Sequence, residues 1–126
     1  MAKARFKGTF NQGEYLITIS LSLYVWDEKE ITFVYSPALD LTGYGTSEEE
    51  AKQSFQIMLD EFVNYAHKKK TIFDELESLG WSVNRKKKRV HAPDLEELRT
   101  DNDAFRNLLK KSNVRSENQN VELALS

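Results

Sequence analysis

The stretch that decides the fold is YLITISLSLYVW, residues 15–26. Its apolar side chains recur at every second position: Ile17, Ile19, Leu21, Leu23 and Val25. Serine and threonine alternate with them, which is the period of a strand with one buried and one largely polar face. After the charged residues 27–30, the run ITFVYS, residues 31–36, alternates in the same way. The pattern predicts two antiparallel strands joined by a hairpin.

Weaker signals flank this hairpin. RFKGTF, residues 5–10, predicts a third strand, followed by a turn at residues 11–13. Pro37 ends the second run, because proline has no backbone N–H to donate to a ladder. Gly43 and Gly45 predict a loop that needs unusual backbone angles or a close approach of the backbone. Together these signals indicate a small antiparallel sheet.

A long amphipathic helix follows the glycines. Ser47 and Glu50 form a capping-box pattern, and the acidic residues 48–50 lie where the helix dipole favours negative charge. Apolar residues then recur at helical spacing: Ala51, Phe55, Met58, Leu59, Phe62 and Ala66. We expect this helix to cover the apolar face of the sheet. Three lysines end it, and a shorter helix is predicted from Thr71 to Gly80.

The last third of the chain changes character. A strand is predicted at residues 81–84, and one or two short helices after Pro93, interrupted near residues 100–103. The polar run SNVRSENQ then leads to VELAL, residues 121–125, which alternates like a strand but has no local partner. We therefore expect this segment to add to a sheet, either its own or that of a second subunit, and to support a homodimer.

Composition restricts the class of protein. The 126 residues fit one domain, and 40% hydrophobic with 30% charged residues is typical of a soluble globular chain. The formal net charge of -2 gives no overall attraction to nucleic acid or to an anionic membrane. No segment approaches the roughly 18 apolar residues of a spanning helix. With no cysteine, neither disulfides nor thiolate metal sites are expected, and a cytoplasmic location is predicted.

The sequence contains few candidate catalytic residues. His67 and His91 have no metal-ligand spacing, and Ser47 lies in no nucleophile-elbow motif. The runs 15–26 and 31–36 contain no Asp or Glu that could hold the two metal ions of a nuclease. We predict a protein that is not an enzyme, has no nuclease activity, and needs neither a metal ion nor another cofactor.

A run of cations is the sharpest local feature: Arg85, Lys86, Lys87, Lys88 and Arg89. These residues can contact phosphates of a nucleic acid, or they can keep an exposed edge or hairpin from pairing with other chains. We favour the second reading. Aromatic residues that could stack on bases are Tyr15, Tyr24, Trp26 and Trp81. Packing in a core or an interface is the commoner use of such side chains.

The segment from the strands to the long helix resembles the HicB-like family. The residues that carry the resemblance are Pro37-x-Leu39, Gly43, and Thr46-Ser47-x-Glu49-Glu50-Ala51 before the helix. The resemblance covers roughly residues 15–83. It implies a three-stranded antiparallel sheet with a helix packed across it and a further strand. Members with a known role are antitoxins that cover a small ribonuclease toxin and bind operator DNA through a C-terminal module, which residues 93–126 do not match.

These observations predict an α+β fold with the element order β-β-β-α-α-β, followed by a helical segment and a terminal strand. We expect residues 1–90 to form a domain similar to the HicB-like family, and residues 91–126 an extension packed on it or exchanged with a second subunit. We expect binding of a protein, such as a small toxin-like partner, through a surface of four residues: Pro37, Leu39, Gly43 and Tyr44. The alternatives are a nucleic-acid-binding module that uses residues 85–89, or an orphan domain.

Overall fold

The structure, a computed structural model, describes residues 5–7 and 16–125. In these ranges the strands are β1 Arg5–Lys7, β2 Leu16–Glu28, β3 Ile31–Ser36, β4 Leu41–Gly45, β5 Ser82–Asn84, β6 Arg89–His91 and β7 Arg115–Ala124. The helices are α1 Glu48–Lys69, α2 Ile72–Ser78, α3 Leu95–Asp101 and α4 Asp103–Leu108. The predicted α+β class is confirmed. None of these helices is both long enough and apolar enough to cross a membrane.

The main sheet has the strand order β1-β7-β2-β3-β4. β1 runs parallel to β7, and the other neighbours are antiparallel. The predicted hairpin is β2 and β3, which pair from Tyr24↔Tyr35 to Glu28↔Ile31. Lys29 and Glu30 form its turn with φ angles of 50° and 68°, and two successive positive φ angles suit the twist of the strands. Of the predicted opening strand only Arg5–Lys7 is described, and the turn at residues 11–13 lies outside the described residues.

The loop predicted at Gly43 and Gly45 is wrong, because both glycines lie in β4 at the edge of the described sheet. The close approach of the backbone, which was the other reason expected for these glycines, is present. A Cβ on Gly43 would lie 2.5 Å from the carbonyl oxygen of Ala51, and one on Gly45 would lie 2.8 Å from the backbone nitrogen of the same residue. The glycines therefore allow the backbone of α1 to pack directly on the strand.

The terminal strand also differs from the prediction. β7 begins at Arg115, six residues before the predicted VELAL segment, and it pairs with β2 of the same chain from Arg115↔Val25 to Ala124↔Leu16. The segment thus adds to a sheet as predicted, and the sheet is that of its own chain. The first half of β7 has no apolar pattern because the face that it presents to α1 is ionic: Lys52 lies 3.0 Å from Glu117 and 3.0 Å from Glu48, and Arg115 also binds Glu48.

The strand predicted near Trp81 forms, but it lies outside the main sheet. β5 pairs with β6 in a separate two-stranded hairpin. Trp81 before it is buried, and its indole Nε1 donates a hydrogen bond of 2.8 Å to the carbonyl oxygen of Ala38. This bond attaches the end of α2 to the connection between β3 and β4.

The core fills the space between α1 and one face of the sheet. Its fully buried side chains include Leu23, Val34, Phe55, Leu59, Val63, Leu76, Val121 and Leu123. α1 begins as predicted, with the Ser47 hydroxyl accepting from the Glu50 N–H at 3.1 Å. The Glu50 carboxylate accepts from the backbone N–H and the hydroxyl of Thr46, at 2.9 and 2.7 Å. These contacts lower the pKa of Glu50 and hold the first turn of α1 against the end of β4.

Candidate functional site

The face of the sheet that points away from α1 is polar at one end and aromatic at the other. Its polar end carries exposed or half-buried side chains of β2 and β7: Thr18, Ser20, Ser22, Ser116, Asn118 and Asn120. The aromatic end is formed where β2, β3 and β4 pair: Tyr24, Trp26, Phe33, Tyr35 and Tyr44. This face continues the polar side of the strand predicted at residues 15–26, whose last two positions are the aromatic residues Tyr24 and Trp26.

The helix pair α3–α4 covers part of the aromatic end. Asn102 precedes α4, and its Oδ1 accepts from the Phe105 N–H at 3.0 Å, which caps the helix. The Nδ2 of Asn102 donates to the Tyr35 hydroxyl at 2.9 Å, and this hydroxyl donates to Asp40 at 3.0 Å. Phe105, 1% exposed, meets the Tyr24 ring edge-on with a centroid distance of 5.0 Å. One asparagine therefore both starts α4 and fastens it to the sheet.

Burial raises the pKa of Tyr35 to about 12, with the Asn102 bond opposing this shift and Asp40 adding to it. The hydroxyl consequently keeps its proton near neutral pH and remains a hydrogen-bonded support for α4. Burial raises the pKa of Tyr24 as well. Both tyrosines contact the segment that holds α4, Tyr35 through Asn102 and Tyr24 through Phe105.

Between α4 and the strands lies an open cleft with a volume of about 530 Å³. The side chains that line it are Trp26, Phe33, Tyr35 and Thr42 from the sheet, and Ala104, Asn107 and Leu108 from α4, with Glu28, Lys110 and Lys111 at the rim. The volume lies within the range of ligand pockets, and the lining combines aromatic walls with a few polar groups, as such pockets do. We take this cleft as the candidate site.

Two rings of the cleft wall, Trp26 and Phe33, form a row with Tyr44, which lies beside the cleft. Trp26 and Phe33 stack with centroids 5.2 Å apart and planes inclined by 17°, and Phe33 lies 6.4 Å from Tyr44 at the sheet edge. Tyr44 is 63% exposed, the most exposed of the large hydrophobic side chains in the described residues. The row leads from the inside of the cleft to the surface, and it offers apolar contact along three adjacent strands.

The rim supplies charge. Lys110 and Lys111 follow α4, and the ammonium group of Lys111 lies 3.8 Å from the Glu28 carboxylate. Both members of this pair are about half exposed, so the contact is weak and can be exchanged for another anion. Asn113 fixes the segment by donating a hydrogen bond of 2.8 Å to the carbonyl oxygen of Asp27. The cleft therefore suits an apolar group that carries an acidic group beside it.

The four residues predicted to bind a partner are not brought together on one surface. Pro37, Leu39 and Gly43 are buried, and only Tyr44 presents an exposed side chain. Neighbouring residues in a strand point to opposite faces, so Gly43 lies under α1 whereas Tyr44 lies beside the cleft. Partner binding by this set stays a prediction, and Tyr44 is its accessible member.

The predicted basic run lies at the tip of the β5–β6 hairpin. Arg85 contacts Asp74 at 2.7 Å and Glu77 at 2.5 Å, and its guanidinium lies 5.5 Å from the centre of the Phe73 ring. Lys86, Lys87 and Arg89 are exposed, and Lys88 is half-buried with a φ of 52°. These five residues are not among those that line the cleft. Arg85 is thus paired with acidic side chains, and the exposed cations surround a turn.

Within residues 5–7 and 16–125, no three His, Asp or Glu side chains are grouped so that they could hold a metal ion. The cleft lining contributes hydrogen-bond donors, one carboxylate and aromatic surface. This arrangement can recognise a partner by shape and charge.

One sequence signal for the cleft existed. In β2 the polar positions 18, 20 and 22 give way to Tyr24 and Trp26 on the same side of the strand. This change marks where the polar face ends and a second apolar surface begins. The contribution of α4 had no comparable signal, because it depends on Asn102 reaching Tyr35 across 67 positions of the chain.

Comparison with known proteins gave no relative: no protein-family model matches the chain, and neither a curated protein nor a solved structure matches it.

Proposed function

We propose that this protein is a non-catalytic binding protein of the HicB-like antitoxin type, which takes an apolar segment of a protein partner into the cleft between α4 and the sheet. The observation that carries the proposal is the aromatic cleft of about 530 Å³ with its cationic rim. Protein interfaces bind through such anchored apolar or aromatic side chains, surrounded by polar groups that set orientation.

The lining favours a protein segment over a nucleic acid. Trp26 and Phe33 stack on each other, so one face of each ring is already occupied and cannot serve as a platform for a base. Of the cations in residues 5–7 and 16–125, only Lys110 and Lys111 line the cleft, and Lys111 faces Glu28. The residues of the basic hairpin do not contribute. The cleft therefore fits an aliphatic or aromatic side chain followed by a carboxylate.

The HicB-like part of the proposal rests on the motif from Pro37 to Ala51 and on a sheet with a long helix across it. Ser47 and Glu50 of that motif cap α1, and Gly43 permits the contact between α1 and β4. In this family the partner is a small toxin-like protein. The product of a small neighbouring reading frame is accordingly the partner to test.

A direct test is to fill the cleft with a bulky side chain. Ala104 lines it and is exposed, so Ala104→Trp adds bulk without removing core contacts. Thr100→Trp, on exposed surface in α3, is the matched control. In calorimetric titrations with the product of the neighbouring frame, we expect at least a tenfold loss of affinity for Ala104→Trp and none for Thr100→Trp. Equal affinity of both variants and the parent protein would show that the cleft does not bind this partner.

A second pair of variants separates the two basic regions. Lys110→Glu with Lys111→Glu reverses the rim, whereas Lys86→Glu with Lys87→Glu makes the same charge change on the hairpin. We expect the first pair alone to weaken binding of the protein partner. Duplex DNA serves as the competing ligand: a phosphate contact adds about 0.9 to the slope of log affinity against log salt. Tight, salt-sensitive DNA binding lost on changing Lys86, Lys87 and Lys88 to Gln would favour the nucleic-acid function instead.

A further inference from the structure

The outward face of α1 carries an apolar patch that the fold does not use. Ile57 and Tyr65 are each 58% exposed, and Met58 is 38% exposed. Half of the exposed large hydrophobic side chains in the described residues are thus on this one helix. Grouped exposed apolar side chains mark an interaction surface more often than scattered ones do.

Two opposite charges lie near the two ends of α1 on the side of Ile57: Glu50 in the first turn and Lys68 in the last. Two copies of the helix packed in parallel would bring like charges together. Packed antiparallel, each acidic end would lie beside the basic end of the other copy. The face is therefore complementary to itself in one orientation.

The positions of individual residues define a register. Glu50, Ile57, Glu61 and Lys68 are separated by seven, four and seven residues, which places them on one side of a helix. They are also symmetric about position 59, near the middle of the 22-residue helix. A two-fold axis there would set Glu50 of one copy opposite Lys68 of the other, twice, and Ile57 of one copy beside Glu61 of the other near the centre. A helix of this length extends about 33 Å, enough for a specific contact.

We propose that the outward face of α1 is a homodimer interface in which two copies of this helix pack antiparallel about a two-fold axis. The interface lies on the opposite side of the sheet from the cleft, so the dimer would present both clefts to partners. It also differs from the dimer predicted from the sequence, because the Val121 to Leu125 segment is already paired with β2 in its own chain.

A charge exchange tests the register. In a dimer of the Lys68→Glu variant, two carboxylates would face each other at both ends of the interface, and in a dimer of Glu50→Lys two ammonium groups would do so. An equimolar mixture of the two variants restores an opposite-charge pair at each end. By sedimentation velocity we expect the parent protein to dimerise at tens of micromolar, each variant alone to dimerise at least tenfold more weakly, and the mixture to recover parent-like affinity.

Glu50 also accepts hydrogen bonds from Thr46, so circular dichroism first establishes that Glu50→Lys is folded. Recovery in the mixture separates loss of the intermolecular pair from loss of this cap, because the partner variant cannot restore a contact within the other chain. A mixture as weak as the separate variants would overturn the proposal.

The absence of native cysteine allows an independent check. Glu61→Cys lies close to the proposed axis, and Tyr44→Cys, also exposed, lies on the opposite face of the sheet. Under mild oxidation we expect the first variant to form a disulfide-linked dimer much faster than the second. Equal rates would contradict the interface. A parent protein that is monomeric at high micromolar concentration, and that loses affinity for its protein partner on Ile57→Asp, would assign this face to that partner and likewise overturn the proposal.

Discussion

The two faces of the central sheet are packed to different degrees. The face under α1 is aliphatic and closed: Phe55, Leu59 and Val34 are 0% exposed, and Gly43 brings strand and helix into backbone contact. The opposite face is aromatic and open, and a short helix held by one asparagine leaves a cleft beside Phe33. Close packing stabilises the first face, whereas incomplete packing on the second leaves a cleft with the volume of a ligand pocket.

Removal of one phenylalanine from each face should give the largest difference in the free energy of unfolding. Phe55→Ala leaves a cavity that the closed core cannot fill, and we expect the free energy of unfolding to fall by about 3–5 kcal/mol. Phe33 is half-buried at the cleft, and Phe33→Ala should cost about 1 kcal/mol. Urea denaturation followed by circular dichroism measures both. Equal losses would show that the cleft wall is as much part of the core as α1.

The next prediction concerns the contact between Gly43 and α1, which is made by backbone atoms rather than by side chains. The Cβ of Gly43→Ala would lie 2.5 Å from the Ala51 carbonyl oxygen as well as against the Phe55 nitrogen, so α1 must move off β4. We expect a loss of about 3 kcal/mol in the free energy of unfolding. Thr42→Ala, next to it but exposed on the cleft face, should change this quantity by less than about 0.5 kcal/mol. A tolerated Gly43→Ala would contradict the close contact.

The attachment of α4 on the open face is tested by alkaline pH. The pKa of Tyr35 is raised by burial to about 12, so above pH 10 the unfolded chain loses a proton that the folded chain retains. Stability from this group is complete below pH 10 and is lost as the pH rises towards 12, by about 2 kcal/mol. We expect Tyr35→Phe to be less stable at pH 7, for want of the two hydrogen bonds, but to lose less between pH 10 and 12.

Denaturation curves at pH 8, 10 and 11 measure this difference, and the absorbance of tyrosinate near 295 nm reports the titration itself. Burial also raises the pKa of Tyr24, so part of the alkaline loss should remain in the variant. Identical slopes for the parent protein and Tyr35→Phe would show that the Tyr35 hydroxyl is not held as the structure places it.

Local patterns in the sequence determined much of the fold. Alternation in residues 15–26 and 31–36, and the cap from Ser47 to Glu50, predict β2, β3 and the start of α1, because strand period and helix capping involve residues within a few positions of one another. The class of fold and the burial of one strand face follow from them. None of the four residues predicted to bind a partner lines the cleft, and Tyr44 lies beside it, since an aromatic residue at a strand edge says little about what faces it.

Tertiary structure decided the rest. The pairing of Val25 with Arg115 joins residues about 90 positions apart, and the polar side chains of β7 are placed by α1 and solvent rather than by a pattern of their own. In the sequence, Gly43 is typical of a turn. The structure shows instead that glycine is required there because the backbone of α1 packs against it. The cleft exists because Asn102 reaches Tyr35, a contact between side chains whose local sequences predict only a helix cap and a strand. Such contacts depend on how elements meet in space, which no short stretch of the chain encodes.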